Sequence, residues 1–567
     1  MMRKKYRSML LGATFSSVSN SLLLITDSLI SGIFLGHRAV SAVNLVAPVF
    51  NLGFFLAMLI SVGIPIMYSN EMGNFHKKEA DRIFGTGLTT ALAAGILIFF
   101  LLTFFRDLYF RFYQLPTELI SLSADYYYWV RFALLATPLA EVVVEMVFAD
   151  GDEACTLFVT IVEAVSNIVL SIILCRKMGI AGIGLGTAIA VILHVLLSFS
   201  HLLKKGNSLR PNLFFSFSIL CDTVSYSLAD AGCYLFLAVF SCILNKFVLW
   251  RFGDQMLIMV SVILLVQQFQ MIFDGIGEAI TPIISVYLSE DCFPGVRKIW
   301  RLAVTTAMIE GTGMALLLAA LSPVLPGVLG ITDPGLHHTA STGIILMAPG
   351  MPFVCLLYLL PAYYLLLDRI SLSFWVSAMR DVAVLLPSLL LLGMIFGIYG
   401  VFAGFAVGPM LALLVALIYI ARRYGRENVP LLIAEREQAV KSYLFELRVF
   451  PEEIMKVRDA FAAVLSENGV PEKAVVRSTL VFEELFMMVY ENNPAGNVQG
   501  EAALTISQEK LSIIMRDNGV PLNLMDQNLE VSSIRCYIVP GLLSHWCHNE
   551  KHLMTMSFNR NMLELEL

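Results

Sequence analysis

The 567-residue chain is 57% hydrophobic and only 14% charged, with a mean hydropathy of +0.76. Soluble domains carry about 25% charged residues, so this composition excludes a soluble protein, a disordered chain, a collagen or a coiled coil, and leaves an integral membrane protein. The net charge of −6 conceals a split: residues 1–424 hold 25 Lys and Arg against 24 Asp and Glu, whereas residues 425–567 hold 13 against 20.

A bilayer core of about 30 Å needs about 20 mostly apolar residues per helix. Twelve segments qualify, near 9–34, 44–68, 85–105, 127–149, 156–174, 180–203, 224–250, 257–288, 302–329, 340–366, 371–393 and 398–421. The basic start is followed by an apolar run with no small-residue cleavage site, which fits a retained first transmembrane helix rather than a signal peptide. With the N-terminus inside, the inner connections hold sixteen Lys and Arg and the outer ones six. This asymmetry predicts cytoplasmic termini in an inner (cytoplasmic) membrane. The nine scattered cysteines form no CxxC pair and fit small buried hydrophobes.

The membrane part repeats itself. Gly179, Gly182 and Gly186 of the sixth span match Gly397, Gly400 and Gly404 of the twelfth. Asp27 with Gly36 echoes Asn245 with Gly253, and Pro65 echoes Pro282. Small residues at helical spacing permit close helix packing in lipid. Two six-helix bundles related along the membrane normal are a transporter architecture, with the substrate site at the repeat interface. The expected fold is an all-α polytopic membrane protein with twelve transmembrane helices in two lobes, 1–210 and 211–424, then a linker at 425–439 and a cytoplasmic α/β sandwich at 440–567.

Ionisable residues inside a membrane are costly, so each is a functional candidate. Asp27 lies well inside the first span beside Thr26, with Asn20 on the same face. Its two readings are cation coupling and a structural hydrogen-bonded acid. Glu163, Asn167 and Ser171 recur at i, i+4 and i+8 on the fifth span and share a helix face. Asp274 and Glu278 share a face of the eighth span beside Gly275, Gly277 and Pro282, a broken backbone of the kind that holds cations in transporters. Asp230, Glu310 and the Glu141/Glu145 pair are further intramembrane acids. Arg380 and Asp381 are expected to neutralise each other. Tyr126, Tyr127, Tyr128 and Trp129 read as an interfacial aromatic belt.

These pieces, with the loop from Glu71 to Ala80, the Gly151-Asp152 loop and the Gly-rich sixth span, resemble the multidrug and toxic compound extrusion (MATE) family over about residues 8–423. The resemblance implies a V-shaped pair of lobes. It also implies export of amphiphilic, often cationic, small molecules against proton or sodium influx. It places Asp27 and Asn167 at family positions. One branch has an Asp four residues after the Asn; Ser171 takes that place here, which makes Glu163 the candidate second carboxylate.

The tail changes texture. Tyr443–Phe450 reads as a strand, 451–468 and 471–492 as helices opened by Pro-Glu, 502–506 and 511–516 as a hairpin, and 554–558 with 562–567 as a second. The helix around Glu483-Glu484 and the run Asp517-Asn518-Gly519-Val-Pro521 resemble the histidine-kinase-like ATPase fold, closest to anti-sigma-factor kinases. The resemblance makes Asp517 the adenine-binding acid, with Gly519 in its turn, and Glu484 the general base. Met488 replaces the magnesium-binding Asn, and the glycine-rich lid expected near 530–545 lacks its glycines. A degenerate domain without ATPase or kinase activity is therefore expected, with weak ATP binding or a regulatory protein partner. His545, Cys547, His548 and His552 read as a solvated helix face rather than a metal site. The leading expectation is a non-enzymatic exporter of small molecules in contact with membrane lipid, with a proton or sodium as coupling ion, no certain cofactor and no nucleic-acid partner. A lipid-linked oligosaccharide flippase of the same superfamily and a membrane-anchored sensor are the alternatives.

Overall fold

The computed structural model describes the chain except for residues 1, 74–75, 115, 151, 205–206, 494–496, 508–509, 521–544, 550–558 and 567. The helices of the membrane part run in chain order as α1 Met2–Leu35, α2 His37–Ser61, α3 Gly63–Gly73, α4 Lys77–Phe104, α5 Arg106–Tyr113 and α6 Thr117–Ala149. They continue as α7 Glu153–Met178, α8 Ile180–Phe199, α9 Phe217–Phe252, α10 Leu257–Gln270, α11 Asp274–Ser289 and α12 Phe293–Leu321. The last six are α13 Leu325–Val328, α14 Pro334–Met347, α15 Met351–Leu366, α16 Ile370–Ala378, α17 Leu385–Phe396 and α18 Ile398–Tyr424. Eleven helical stretches among the described residues are long and apolar enough to cross a bilayer. The first expected span corresponds to α1, a continuous 34-residue helix.

The repeat seen in the sequence reappears in the backbone. Gly36 has φ 85°, ψ 177° and Gly253 has φ 84°, ψ 176°. Gly179 has φ 64°, ψ −139° and Gly397 has φ 67°, ψ −150°. Positive φ is the region a side chain disfavours, so the same unusual corner is built twice by the same residue type. The glycines that follow bring helices into backbone contact. A Cβ on Gly186 would lie 2.6 Å from the Ser171 Oγ, 2.7 Å from its nitrogen and 2.9 Å from its Cα. In the second half a Cβ on Gly404 would lie 2.6 Å from the Leu389 Cα. Gly186→Ala is therefore expected to destabilise the protein by about 1–3 kcal/mol through overpacking, lowering its melting temperature in detergent. Gly313→Ala, where the added Cβ meets nothing within 4 Å, is the control and should not.

The chain divides into two compact units. One holds residues 16–273 and 308–414; the other holds 1–15, 274–307 and 415–567. Within the first, α7 packs on α8, α6 on α8, and α2 on both α6 and α9. The second contains α11 and the start of α12, then α19 Ala434–Ala439, α20 Pro451–Glu467 and α21 Glu472–Glu491 with five strands. The strands are β1 Lys441–Arg448, β2 Gln499–Ile506, β3 Lys510–Asp517, β4 His545–Asn549 and β5 Asn559–Glu566, in antiparallel order β1-β2-β3-β5-β4. One sheet face carries Leu447, Ala502, Leu504, Leu511, Ile513, Met515 and Leu563 against Phe461, Phe482 and Phe486 of α20 and α21.

One expectation for the tail changes, and two lie outside the described residues. His545–Asn549 is a strand paired with β5, not a helix face; its polar composition hid its alternation. The strand expected at 554–558 and the lid region before residue 545 lie outside the described residues. On the second sheet face, register aligns Glu446 with Glu501 and Glu501 with Arg516. This row meets the α11–α12 connection. Arg516, fully buried, pairs with Glu501 at 2.6 Å and with Glu290. Tyr287 donates its hydroxyl to both Glu501 oxygens at 2.9 Å. Lys298 pairs with Glu446, Arg297 with Glu437, and Arg436 with Asp291 at 2.7 Å.

Candidate functional site

Asp27 sits on α1 with its side chain directed at α6 and α8. Its Oδ2 accepts from the Tyr126 hydroxyl at 2.6 Å and from the Thr187 hydroxyl at 2.9 Å. Asn167 on α7 donates its Nδ2 to the same Thr187 oxygen at 3.2 Å. One hydroxyl thus joins the two residues singled out in the sequence. Among the described residues, the Asp27 Oδ1 and Asn167 Oδ1 are buried without a hydrogen-bond partner. A hydroxyl holds one proton and two acceptor sites. Thr187 has two acceptors for its single proton, Asp27 and the Ile183 carbonyl at 3.2 Å. With Asp27 ionised, the Thr187 proton points at the carboxylate. With Asp27 protonated, the acid can donate to Thr187, and the Thr187 proton turns to Ile183. The site has a hydrogen-bond arrangement for each protonation state of Asp27.

Glu163 is not in this group. Its Oε2 meets His194 Nδ1 on α8 at 2.6 Å. Ser171 is fully buried, and its hydroxyl faces the Ile183 carbonyl at 3.4 Å. It serves the α7–α8 contact made by Gly186. Asp274 and Glu278 open α11 just after a 3-10 turn at Met271–Phe273, and both are exposed. They belong to the other compact unit. Asn245, the repeat counterpart of Asp27, is fully buried and donates to the Asn44 carbonyl at 3.4 Å. The repeat therefore presents a titratable group in one half and a neutral amide in the other. Arg380 and Asp381 form a buried two-pronged pair, 2.7 and 2.8 Å, with the guanidinium 3.7 Å from the Tyr358 ring centre. Glu310 is half-buried, and the side chain of Asp230 lies outside the described residues.

The aromatic cluster is corrected. Tyr126 and Tyr127 are each 2% exposed, against 47% for Tyr128. Tyr126 holds Asp27, and Tyr127 donates to the Leu102 carbonyl at 2.7 Å. Of the three tyrosines, Tyr128 is the one exposed as a belt at the lipid boundary requires. Sequence reasoning missed Tyr126, Thr187 and His194. The signal was available for the last two: Thr187 and His194 are polar, seven apart on an apolar helix, and so fall on one face.

In the tail, Asp517 is 3% exposed and its Oδ1 accepts the Gly519 amide at 2.9 Å. Asn493 accepts the Val520 amide at 2.9 Å and closes the same turn. Glu484 lies on α21. Met488 is 1% exposed in the core between helices and sheet, so the position where the resembled fold has a magnesium ligand is occupied by packing.

Residues 13–173 match the MatE protein-family model. No curated protein matches the sequence. Among solved structures, the chain is similar to an inward-facing multidrug-resistance MATE transporter of the MOP superfamily, with TM-score 0.67 and 17% identity, covering 72% of this chain and 96% of that one. It is also similar to the MATE multidrug transporter DinF-BH, solved as a complex, with TM-score 0.61, 19% identity, and 75% and 96% coverage. An outward-facing MATE transporter of the same superfamily gives TM-score 0.56, 18% identity, and 74% and 95% coverage. The membrane part of this chain thus has the fold of the multidrug and toxic compound extrusion transporters.

Proposed function

We propose that the protein is a secondary transporter that exports amphiphilic or cationic small molecules in exchange for protons, with Asp27 as the coupling carboxylate. The carrying observation is the environment of Asp27: a carboxylate within an apolar helix, held on one oxygen by two hydroxyl donors and, among the described residues, unpartnered on the other. Protons suit this site better than sodium. Tyr126 and Thr187 point hydrogens at one Asp27 oxygen, and the unpartnered oxygens among the described residues there, Asp27 Oδ1 and Asn167 Oδ1, are fewer than a hard cation requires. A flexible Met- and Phe-rich interior suits varied apolar cargo; the chain has 26 Met and 38 Phe. The tail is a regulatory domain without ATPase activity. Its support is the buried cluster joining β2 and β3 to the α11–α12 connection, and Met488 in the core. Its partners are a regulatory protein or weakly bound ATP.

Proteoliposomes loaded with a lipophilic cationic dye test the transport reading. An imposed pH gradient should drive dye movement, and a sodium gradient of equal size should not. Dye flux equal to that of protein-free vesicles under both gradients would refute it.

A further inference from the structure

α8 carries a second feature that the Asp27 site does not use. Thr187, His194 and His201 recur at intervals of seven, the last in the 3-10 turn that extends the helix, and all lie in the buried interior at 7%, 5% and 4% exposure. Each faces an acid from another element. Thr187 meets Asp27 of α1. His194 meets Glu163 of α7, with Glu141 of α6 in electrostatic range of both. His201 places Nδ1 2.6 Å from Asp152 and Nε2 2.7 Å from Asp150. Each ring nitrogen of His201 faces a carboxylate oxygen, so a proton taken up on one side of the ring can be released from the other. Lys204 Nζ lies 2.5 Å from the same Asp152 oxygen and holds that carboxyl down at about 2. Cys155 donates its backbone N–H to Asp152. Although Asp152, Cys155 and His201 bring metal-ligating atoms within 4.8 Å of one another, the ammonium on Asp152 and the two acids on His201 make this a charged cluster rather than an ion cage.

The intervals between the rungs are not apolar. Glu163 lies one turn from Asn167 on the same face of α7. Ser198, 1% exposed, lies on α8 between His194 and His201. Among the described residues, His194 Nε2, Ser198 Oγ and Asn167 Oδ1 are each buried without a hydrogen-bond partner. Buried polar atoms in that state are the exception in folded proteins, and three of them fall along one path.

We propose that this stripe is the route by which a proton leaves Asp27 for the cytoplasm, a step that rests on the proton-coupled reading above. The proton passes from the Asp27 carboxyl to the His194–Glu163 pair, then past Ser198 to His201 between Asp150 and Asp152, and from there to water at the cytoplasmic end. Asp27 is left ionised and ready for the next proton from outside. The rungs are about 10 Å apart, two helical turns of α8, which is further than one hydrogen bond or one bridging water reaches, so the route requires chains of waters anchored on the polar atoms between the rungs. No bond other than O–H and N–H forms or breaks.

His194→Gln keeps a donor for Glu163 but cannot take up a proton. In proteoliposomes, pH-gradient-driven dye transport by this variant is expected to fall at least about tenfold, at the low end of what a positioned acid–base group contributes. Dye-for-dye exchange, which moves no net proton, should stay at the wild-type rate. Ser198→Ala, a milder change, should slow driven transport and raise its solvent deuterium isotope effect. Wild-type driven rates in His194→Gln overturn the proposal. Loss of exchange together with driven transport in both variants also overturns it, by assigning the stripe a structural role. A wild-type protein indifferent to the pH gradient refutes the proton-coupled reading itself, which separates the two failures.

Discussion

Asp27→Asn is expected to reduce gradient-driven efflux to the level of protein-free vesicles while leaving the protein folded. Asn matches Asp in size, and its Oδ1 accepts the same two hydroxyls from Tyr126 and Thr187, so packing is preserved. The change removes only the titratable proton. A neutral amide is also cheaper to bury than a carboxylate, so the melting temperature should hold or rise. Tyr126→Phe is the graded companion. It removes one donor to the ionised acid, making the charged state less favourable, and should shift the pH at which driven efflux is half-maximal upward without abolishing transport. Wild-type efflux from well-folded Asp27→Asn protein would sink the assignment. Loss of driven efflux in Asp274→Asn with Asp27→Asn unaffected would move the coupling site to α11.

The long apolar spans were legible because lipid demands apolar helices with every backbone group bonded internally; twelve were expected, and eleven stretches among the described residues qualify. The repeat was legible because its corners need glycine, and glycine can be read directly: Gly36 with Gly253, and Gly179 with Gly397, share dihedral angles within a few degrees to about 11°. Asp27 and Asn167 were legible because a lone polar residue in an apolar helix stands out. Their connector, Thr187, was not, since a threonine in a membrane helix most often satisfies itself on its own backbone, as Thr86 and Thr137 do here. Tyr126 was misplaced because tyrosine near a span end is ambiguous. One helical position decides between lipid boundary and interior, and Tyr126 and Tyr128 fall on opposite sides of that choice. In the tail, the apolar strands β1 to β3 were found from alternation, whereas β4, with the sequence His545-Trp-Cys-His-Asn549, carries little of it.

The buried row at the tail junction was also invisible in the sequence, because Glu290, Glu501 and Arg516 come from three separate segments. Its geometry sets the second large effect. Arg516 is a single cation between two buried carboxylates. Arg516→Met retains the volume but removes the guanidinium from both acids, a change that costs about 3–5 kcal/mol when a buried ion pair loses one partner. The full-length protein in detergent should then show faster hydrogen exchange in β2, β3 and the α11–α12 connection.

The same cluster confers a pH dependence. Burial pushes Glu501 up from 4.5 to about 7, and its Tyr287 hydrogen bond only partly opposes this. A carboxyl raised on folding adds stability that is fully present below its unfolded value near 4.5 and is lost as pH rises through about 7. The lost contribution is on the order of 3 kcal/mol. Between pH 6 and pH 8 the wild-type junction should therefore loosen, seen as hydrogen exchange in residues 499–506 faster than its intrinsic pH dependence explains. Glu501→Gln keeps an acceptor for Tyr287 and leaves Arg516 paired with Glu290, so its junction should be equally protected at both pH values. If the tail regulates transport through this contact, the dye-for-dye exchange rate should change over the same pH step in the wild type and stay flat in Glu501→Gln. Equal junction protection at pH 6 and pH 8 in the wild type would show that Glu501 does not titrate in this range, and a flat exchange rate in both proteins would detach the tail from the control of transport.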